Sequence, residues 1–240
     1  MQPDLETRIR ETNSAALETA ALALLEDAVA TKVHGEAALV SSFGTESAVL
    51  LHLASRVDPA VPVLFIDTRM MFAETLDYQE RLAVGFGLTD VRHISADSRE
   101  LRRNDVFGRL HLSDPDACCK LRKTVPLETA LEGFGCWING RKRHQSQSRA
   151  SIRLAEADSS GRVKLNPLAF WEAEDIEAYF ARHALPRHPM AAKGFTSIGC
   201  APCTARVADG SDSRSGRWAG LEKTECGIHI ENGVVSRPAA

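Results

Sequence analysis

Short runs of consecutive apolar residues, each bounded by polar residues, Pro or Gly, predict buried β-strands. They are AALVSSF (37–43), VPVLFID (61–67), VRHISA (91–96), FGCWING (134–140) and the start of VKLNPLAFW (163–171). Apolar residues at helical spacing predict helices over 5–32, 44–57, 71–87, 116–132 and 172–183. Strands that alternate with helices indicate an α/β fold with a parallel twisted sheet and helices on both faces.

The same pattern predicts three regions: an N-terminal helical segment (1–36), an α/β domain (37–205) and a C-terminal tail (206–240). Within the domain, the polar stretch SQSRASIRLAEADSSGR (146–162) predicts a loop. In the tail, VADGSDSRSGRWAG is rich in Gly, Ser and Asp and predicts a mobile segment.

Ligands of open α/β sheets bind at the carboxyl ends of the strands. This rule selects the loop SSFGTES (41–47), Asp67–Thr68 and Asn139–Arg141. A Ser/Gly turn between strand and helix presents backbone N–H groups to phosphate, although this one lacks the Gly-Lys-Ser/Thr of a Walker P-loop. The residues that we expect to contact a nucleotide here are Ser41, Ser42, Phe43, Gly44 and Thr45.

Composition narrows the class of protein. The formal net charge of -3 argues against binding of nucleic acid driven by bulk charge. No apolar run approaches the length of a membrane span, and the polar start MQPDLETRIRE does not resemble a secretory signal. We therefore expect a cytoplasmic protein, with neither nucleic acid nor membrane as partner, whose thiols stay reduced.

Six cysteines in a reducing compartment indicate metal binding or catalysis rather than disulfides. The adjacent pair Cys118 and Cys119, together with Cys200 and Cys203, supplies four thiolates, enough for one zinc ion or one [4Fe-4S] cluster. Adjacent cysteines face awkwardly for a single small ion and favour the cluster. The alternative is two buried cysteines beside a redox dithiol.

The two remaining cysteines have different surroundings. Cys136 lies within a predicted strand, where a cysteine packs as a small hydrophobic residue. Cys226, in KTECGIH near the end of the chain, is a candidate nucleophile, and an incidental surface thiol is the alternative.

Basic residues cluster at strand ends and beside the cysteines, where Arg forks suit phosphate or sulfate oxygens. The candidates for anion binding are Lys123, Arg141, Arg143, Arg214 and Arg217. Each of them, taken alone, would be interpreted as a solvated surface residue.

Together these stretches resemble the assimilatory adenylyl-sulfate (APS) and phosphoadenylyl-sulfate (PAPS) reductases, over residues 37–230. The motifs that carry the resemblance are SSFGTESAVLLH, FIDTRMMFAETLDY, CCKLRKTVPLETAL, WINGRKRHQSQ, NPLAFWEAEDI, GFTSIGCAPCTAR, RSGRWAG and KTECGIH. The resemblance implies an adenine-nucleotide α-hydrolase-like fold related to the ATP pyrophosphatases.

The resemblance also implies an activity and its residues. Members with both cysteine pairs bind one [4Fe-4S] cluster per subunit, here through Cys118, Cys119, Cys200 and Cys203. They reduce APS to sulfite and AMP in sulfate assimilation and cysteine biosynthesis, through a cysteine S-sulfonate, here on Cys226. The implied electron donor is thioredoxin or a glutaredoxin-like dithiol. Whether the chain forms a homo-oligomer is left open.

The chain departs from the family pattern at Arg69, where Gly is usual after Asp-Thr, and at Ala73, where Pro is frequent. Because Arg69 could meet a 3′-phosphate, a PAPS or dual-substrate reductase is one alternative. An ATP pyrophosphatase is a second, although the loop 41–47 lacks the second Gly and the Asp of its Ser-Gly-Gly-x-Asp-Ser motif. A nucleotide-binding iron–sulfur or zinc sensor is a third, and it would leave Cys226 without a role.

Overall fold

The computed structural model describes residues 5–208, 214–220, 223, 225 and 227–229, with the backbone alone for 5–12 and 229. The helices are α1 (Leu5–Leu25), α2 (Ser47–Val57), α3 (Ala73–Gly85), α4 (Ser98–Asn104), α5 (Leu110–Ser113), α6 (Pro115–Cys119), α7 (Val125–Ala130) and α8 (Ala173–Arg182). The strands are β1 (Ala37–Ser41), β2 (Val63–Ile66), β3 (Val91–Ile94), β4 (Cys136–Ile138), β5 (Ala155–Ala157) and β6 (Val163–Leu165). No helix of the described residues is long and apolar enough to cross a membrane.

The strands form one mixed sheet in the order β3-β2-β1-β4-β6-β5. All neighbouring pairs are parallel except β5 and β6, which are antiparallel. The predicted parallel sheet is confirmed, with one antiparallel strand added at its edge. The loop predicted over 146–162 is wrong at 155–157, where β5 forms. The sequence hides β5 because Ala155 and Ala157 are exposed and form no apolar face. Its backbone pairing with β6 defines it instead.

Alternate strand residues pack into two different cores, so helices cover both faces of the sheet as expected. The face called here the α2 face buries Leu39, Phe65 and Ile138 with side chains of α1, α2, α3 and α8. The opposite face, called the α7 face, buries Val40, Leu64 and Trp137 with side chains of α7. This alternation follows from the two-residue period of a β-strand.

The helix predicted over 116–132 is divided into α6, a π-helical segment (Lys120–Thr124) and α7. Asp114 caps α6 by accepting a hydrogen bond from the backbone N–H of Ala117 at 2.9 Å. Within the π-helical segment, the buried Arg122 forms an ion pair with Asp105 at 2.6 Å and donates to the backbone carbonyl of Thr68 at 2.9 Å. These bonds tie the helix that carries the adjacent cysteines to the end of β2.

The sheet order reverses direction between β1 and β4. The chain runs outward from β1 through β2 to β3, and then returns to place β4 on the other side of β1. Loops leaving β1 and β4 at their carboxyl ends diverge to opposite faces of the sheet and leave a crevice between them. The fold therefore predicts a ligand site at the ends of these two strands.

Candidate active site

A pocket occupies this crevice. Its walls come from the loop after β1, Thr68 after β2, the segment after β4, Lys123 of the π-helical segment, residues 197–200, and Arg214, Arg217, Trp218 and Ile228 of the tail. Segments far apart in sequence therefore meet at one edge of the sheet. Eight of the ten residues predicted to bind substrate line the pocket: Ser41, Ser42, Gly44, Thr45, Lys123, Arg141, Arg214 and Arg217.

The pocket wall is strongly basic. Among the described residues it carries one carboxylate, that of Glu46, and six cationic side chains, those of Lys123, Arg141, Lys142, Arg149, Arg214 and Arg217. Such an arrangement suits a ligand with several negative charges, because fixed cations in a partly enclosed site offset the repulsion between anionic groups.

Two of the predicted substrate-binding residues lie outside this wall. Phe43 is fully buried in the core of the α2 face, where its ring meets that of Phe65 edge-on at 5.0 Å. Its backbone is left-handed (φ 49°), so the chain turns sharply and the side chain anchors the loop while its neighbours line the pocket. Arg143 stacks on the ring of Phe170 at 4.0 Å and donates to the carbonyl of Ile152 at 2.9 Å.

Arg141 is held in place by the edge of the sheet. Its Nη2 lies 2.5 Å from Oε2 of Glu156 in β5, and its Nε lies 3.2 Å from the side-chain oxygens of Asn139 and Asn166. The unpredicted strand β5 thus supplies the carboxylate that orients a pocket arginine.

The buried Lys142 forms an ion pair with the partly exposed Glu46, with Nζ and Oε2 separated by 2.8 Å. Burial lowers the pKa of Lys142 below its ordinary value, and Glu46 opposes this shift without cancelling it. For Glu46, burial raises the pKa, but the charge and hydrogen bond of Lys142 outweigh burial and leave the pKa lowered. The pair joins the loop after β1 to the segment after β4.

A second ion pair, between the buried side chains of Arg149 and Glu225, was not predicted from the sequence. Arg149 donates to both carboxylate oxygens of Glu225, from Nε at 2.5 Å and from Nη2 at 2.9 Å. Arg214 adds a third contact to Glu225, at 3.2 Å. The signal in the sequence is weak, since Arg149 lies in a polar stretch and its partner is 76 residues away.

The two cysteine pairs lie near one another. Cys118 and Cys119, at the end of α6, and Cys200 are buried, whereas Cys203 is partly exposed, and none of these four forms a disulfide. Burial, reinforced by the neighbouring thiols Cys119, Cys200 and Cys203, raises the pKa of Cys118 to about 11. No three or more His, Cys, Asp or Glu side chains of the described residues are arranged to hold a single metal ion.

Lys123 and Cys200 both line the pocket, and the charge of Lys123 acts on the thiol of Cys200. Thr68 Oγ1 also lies 3.2 Å from that sulfur. Burial raises the pKa of Cys200, but the charge of Lys123, the Thr68 bond and Arg217 outweigh it, so that the pKa lies below its ordinary value.

Cys136 is fully buried in β4, which confirms its prediction as a strand cysteine. The predicted nucleophile Cys226 lies outside the described residues. Its neighbours on both sides are described: Glu225 is held by Arg149, and Gly227–His229 form a 3₁₀ turn from which Ile228 lines the pocket. Upstream, Trp218 is buried, and its backbone N–H donates to the carbonyl of Cys203 at 3.1 Å.

Arg69 adopts a left-handed backbone (φ 58°), the conformation that Gly adopts without strain. Its backbone N–H donates to Asp67 at 2.8 Å, and its guanidinium donates to Ser98 at 3.1 Å. The side chain therefore extends toward the start of α4 and is absent from the described pocket wall.

Comparison with known proteins agrees with this geometry. The family model for the phosphoadenosine phosphosulfate reductase domain matches residues 36–206. The adenosine 5′-phosphosulfate reductase of Mesorhizobium japonicum is 46% identical over 215 residues, which cover 90% of this chain and 84% of that protein. The phosphoadenosine 5′-phosphosulfate reductase of Gloeobacter violaceus is 43% identical over 195 residues, covering 80% of this chain and 81% of that protein.

A solved structure shows the same fold. The crystal structure of phosphoadenylyl-sulfate (PAPS) reductase from Candida auris, in a phosphate complex, superposes with a TM-score of 0.65 at 25% identity, covering 85% of this chain and 99% of that chain. The resemblance drawn from the motifs is thereby confirmed at the level of the family. The chain belongs to the phosphoadenosine phosphosulfate reductase domain family.

Proposed function

We propose that this protein reduces APS to sulfite and AMP with electrons from an external dithiol, in assimilatory sulfate reduction. The observation that carries the proposal is the basic pocket at the ends of β1 and β4, whose described wall includes Cys200 and Ile228. The wall residue Arg149 also holds Glu225, the residue before Cys226. Relatives with high coverage bear the name of this activity. Family membership favours a reductase over an ATP pyrophosphatase or a sensor.

The reaction begins with attack by the thiolate of Cys226 on the sulfur of APS. A sulfur–sulfur bond forms, the bond from sulfur to the phosphate oxygen breaks, and AMP leaves with that electron pair. Cys226 then carries an S-sulfonate. Because a thiolate must approach an anionic substrate, the charges of Lys123, Arg214 and Arg217 would reduce the repulsion in the transition state.

An external dithiol completes the cycle. One of its thiolates attacks the sulfur of Cys226 and expels sulfite, and its second thiol resolves the mixed disulfide, releasing Cys226 as a thiolate. The two electrons come from the dithiol, which leaves as a disulfide. Cys136 is fully buried, and burial raises its pKa to about 11, so it is poorly suited to serve as an internal partner. Thioredoxin or a glutaredoxin-like protein has the required chemistry.

We also propose that Cys118, Cys119, Cys200 and Cys203 hold a [4Fe-4S] cluster. The donor set fits: Cys119, Cys200 and Cys203 all lie near enough to Cys118 to raise the pKa of its thiol, and none of the four forms a disulfide. One tetrahedral ion, with metal–sulfur distances of about 2.3 Å, requires its ligands to converge on a point. Each thiolate of a cubane binds a different iron, so the lack of a single-ion arrangement among the described residues is compatible with a cluster. Bound there, the cluster would orient Lys123 and set the local electric field.

Single-turnover labelling tests the reaction. Anaerobically prepared protein is incubated with ³⁵S-labelled APS without reductant, and its peptides are mapped. We expect label on Cys226, released as sulfite on addition of thioredoxin, and no label in C226S. Label on another residue, or none, would refute the mechanism.

The cluster is tested by iron and sulfide analysis together with a visible absorption spectrum. We expect four iron atoms and four sulfides per chain, and a colourless zinc protein would contradict the cluster.

PAPS is the second candidate substrate, because the Gloeobacter violaceus relative carries that name. The contact of Arg69 with Ser98 directs its guanidinium toward α4, which weakens the idea that it binds a 3′-phosphate. We expect kcat/KM for APS to exceed that for PAPS. An R69A protein should keep this preference, and a loss of PAPS turnover alone in R69A would assign the 3′-phosphate to Arg69.

A further inference from the structure

Glu225, the residue before Cys226, is anchored more firmly than its position in the tail suggests. It is 7% exposed and accepts a two-pronged hydrogen bond from Arg149, itself 7% exposed. Arg214 donates to the same carboxylate at 3.2 Å. Burial raises the pKa of Glu225, but Arg149, Arg214 and Arg141 outweigh burial and lower it, so the carboxylate stays ionised at neutral pH. We call this three-residue contact of Glu225, Arg149 and Arg214 the Glu225 clamp.

Arg149 is in turn connected, through Gln145, to the loop after β1. Its Nη1 donates to Oε1 of Gln145 at 2.5 Å, and the same oxygen accepts from the backbone N–H of Lys142 at 3.2 Å. The amide nitrogen of Gln145 donates to Glu46 at 3.0 Å. A continuous set of polar contacts thus runs from the loop after β1, through the segment after β4, to the tail.

The chain is also held after residue 226. A Cβ added to Gly227 would lie 2.7 Å from Oγ1 of Thr124, so the backbone passes closely over the π-helical segment. Ile228 packs against the core of the α7 face. The described residues on both sides of residue 226 are therefore held against the rest of the fold.

We propose that Glu225 is a positioning residue for the reductase reaction, which holds the tail in its bond-forming position through the Glu225 clamp. The inference rests on the proposed function, since it takes Cys226 as the nucleophile. The clamp serves only the first step, in which the sulfur of Cys226 must reach the sulfate in the pocket. The second step, attack by a bulky dithiol protein on the S-sulfonate, requires the clamp to open.

The two steps therefore respond differently to loss of the clamp. In E225Q the side chain keeps its shape but loses the charge that pairs with Arg149. Single-turnover transfer of label from APS to Cys226 should slow at least tenfold. Release of sulfite by thioredoxin from enzyme already carrying the S-sulfonate should stay within twofold of wild type or become faster. If Glu225 acted only in folding, E225Q would slow both steps by the same factor.

The matched control is E177Q. Glu177 of α8 and Arg187, which follows that helix, make the same two-pronged contact, at 2.6 Å for both bonds, but both side chains are exposed. We expect E177Q to leave both steps unchanged. Should E225Q fail to fold, E225D keeps the charge but is too short for both Arg149 bonds, and it should slow the first step in the same direction by a smaller factor.

Alkylation provides a second readout. With AMP bound, modification of Cys226 by iodoacetamide, followed by peptide mapping, should be at least threefold faster in E225Q than in wild type. Equal slowing of both steps, or an unchanged first step, would overturn the positioning role and leave the proposed function standing. No label on Cys226 in wild type would refute the proposed function itself.

Discussion

Lys123 shares the pocket wall with Cys200, and its charge acts on the thiol of that cysteine. Replacing Lys123 by alanine removes a positive charge from the pocket, where the proposed thiolate of Cys226 must approach the anionic APS. We therefore expect kcat/KM for APS to fall by about two orders of magnitude, the range typical for such electrostatic groups. Steady-state kinetics with parallel iron analysis would measure this.

The control for Lys123 comes from the same helical segment. Lys120 is exposed and is absent from the described pocket wall. K120A should therefore retain wild-type kcat/KM. A similar loss in both variants would show that the charge of the segment as a whole matters, rather than the placement of Lys123.

The sequence predicts the roles of residues that belong to a short motif. It does not predict the roles of residues whose partners lie far away along the chain. The cysteine pairs and the strand-end loop stand out in the sequence, and most of the predicted basic residues do line the pocket. Phe43 does not, because its left-handed backbone sends the ring into the core, and Arg143 does not, because it is held by Phe170 and Ile152. Glu225 and Arg149 could not be paired without the fold, since nothing local indicates which carboxylate meets which arginine.

At the scale of elements, the close approach of β4 to the segment before β1 depends on a glycine. A Cβ added to Gly135 would lie 2.1 Å from the backbone oxygen of His34, so one backbone would have to move. We expect G135A to lower the free energy of unfolding by about 1–3 kcal/mol, as other overpacking substitutions do. Denaturant unfolding would measure the loss.

Gly85, at the end of α3, serves as the comparison. No atom lies within 4 Å of an added Cβ there, and alanine favours the helix. G85A should therefore leave the stability unchanged or raise it by up to about 1 kcal/mol. Equal destabilisation by the two substitutions would argue against the clash at His34.

Elements with a buried apolar pattern agree with prediction, and elements without one were missed. The five helical regions and the five apolar strands lie within one residue of the predicted ranges. Their buried faces require apolar residues at regular spacing, and that spacing can be recognised in the sequence. The strand β5 and the short helices α4 and α5 were missed, since each has few buried apolar residues. The π-helical segment within 116–132 was also unpredictable, because it preserves the apolar pattern of a helix while changing its hydrogen bonds.

For the molecule as a whole, His188 links stability to pH. The side chain is fully buried, its Nδ1 accepts the backbone N–H of Met190 at 3.1 Å, and its Nε2 lies 3.0 Å from Oγ1 of Thr75. Burial lowers the pKa of His188 from 6.5 to about 4. The unfolded chain therefore binds the proton more tightly than the folded protein does, and the folded protein is favoured above pH 6.5. That stability is lost as the pH falls from 6.5 toward 4, by about 3 kcal/mol in all.

The pH dependence can be isolated with H188Q, which does not titrate. Between pH 6.5 and 4 the free energy of unfolding of wild type should fall more steeply than that of H188Q, by up to about 1.4 kcal/mol per pH unit. Denaturant unfolding at several pH values gives both slopes, and acid effects common to the two proteins cancel in their difference. Parallel curves across this window would contradict the assignment.

The two cores of the sheet differ in size, so we expect the two faces to unfold locally at different free energies. The larger core joins α1, α2, α3 and α8, whereas the α7 face has a smaller core, completed in part by Ile228 of the tail. Partial unfolding begins where few buried contacts must be broken. We expect amide hydrogens of α7 and of residues 227–229 to exchange with deuterium through openings of lower free energy than those of α2 and β1. The face that receives the tail can then loosen and close again while the other half of the molecule keeps the fold intact.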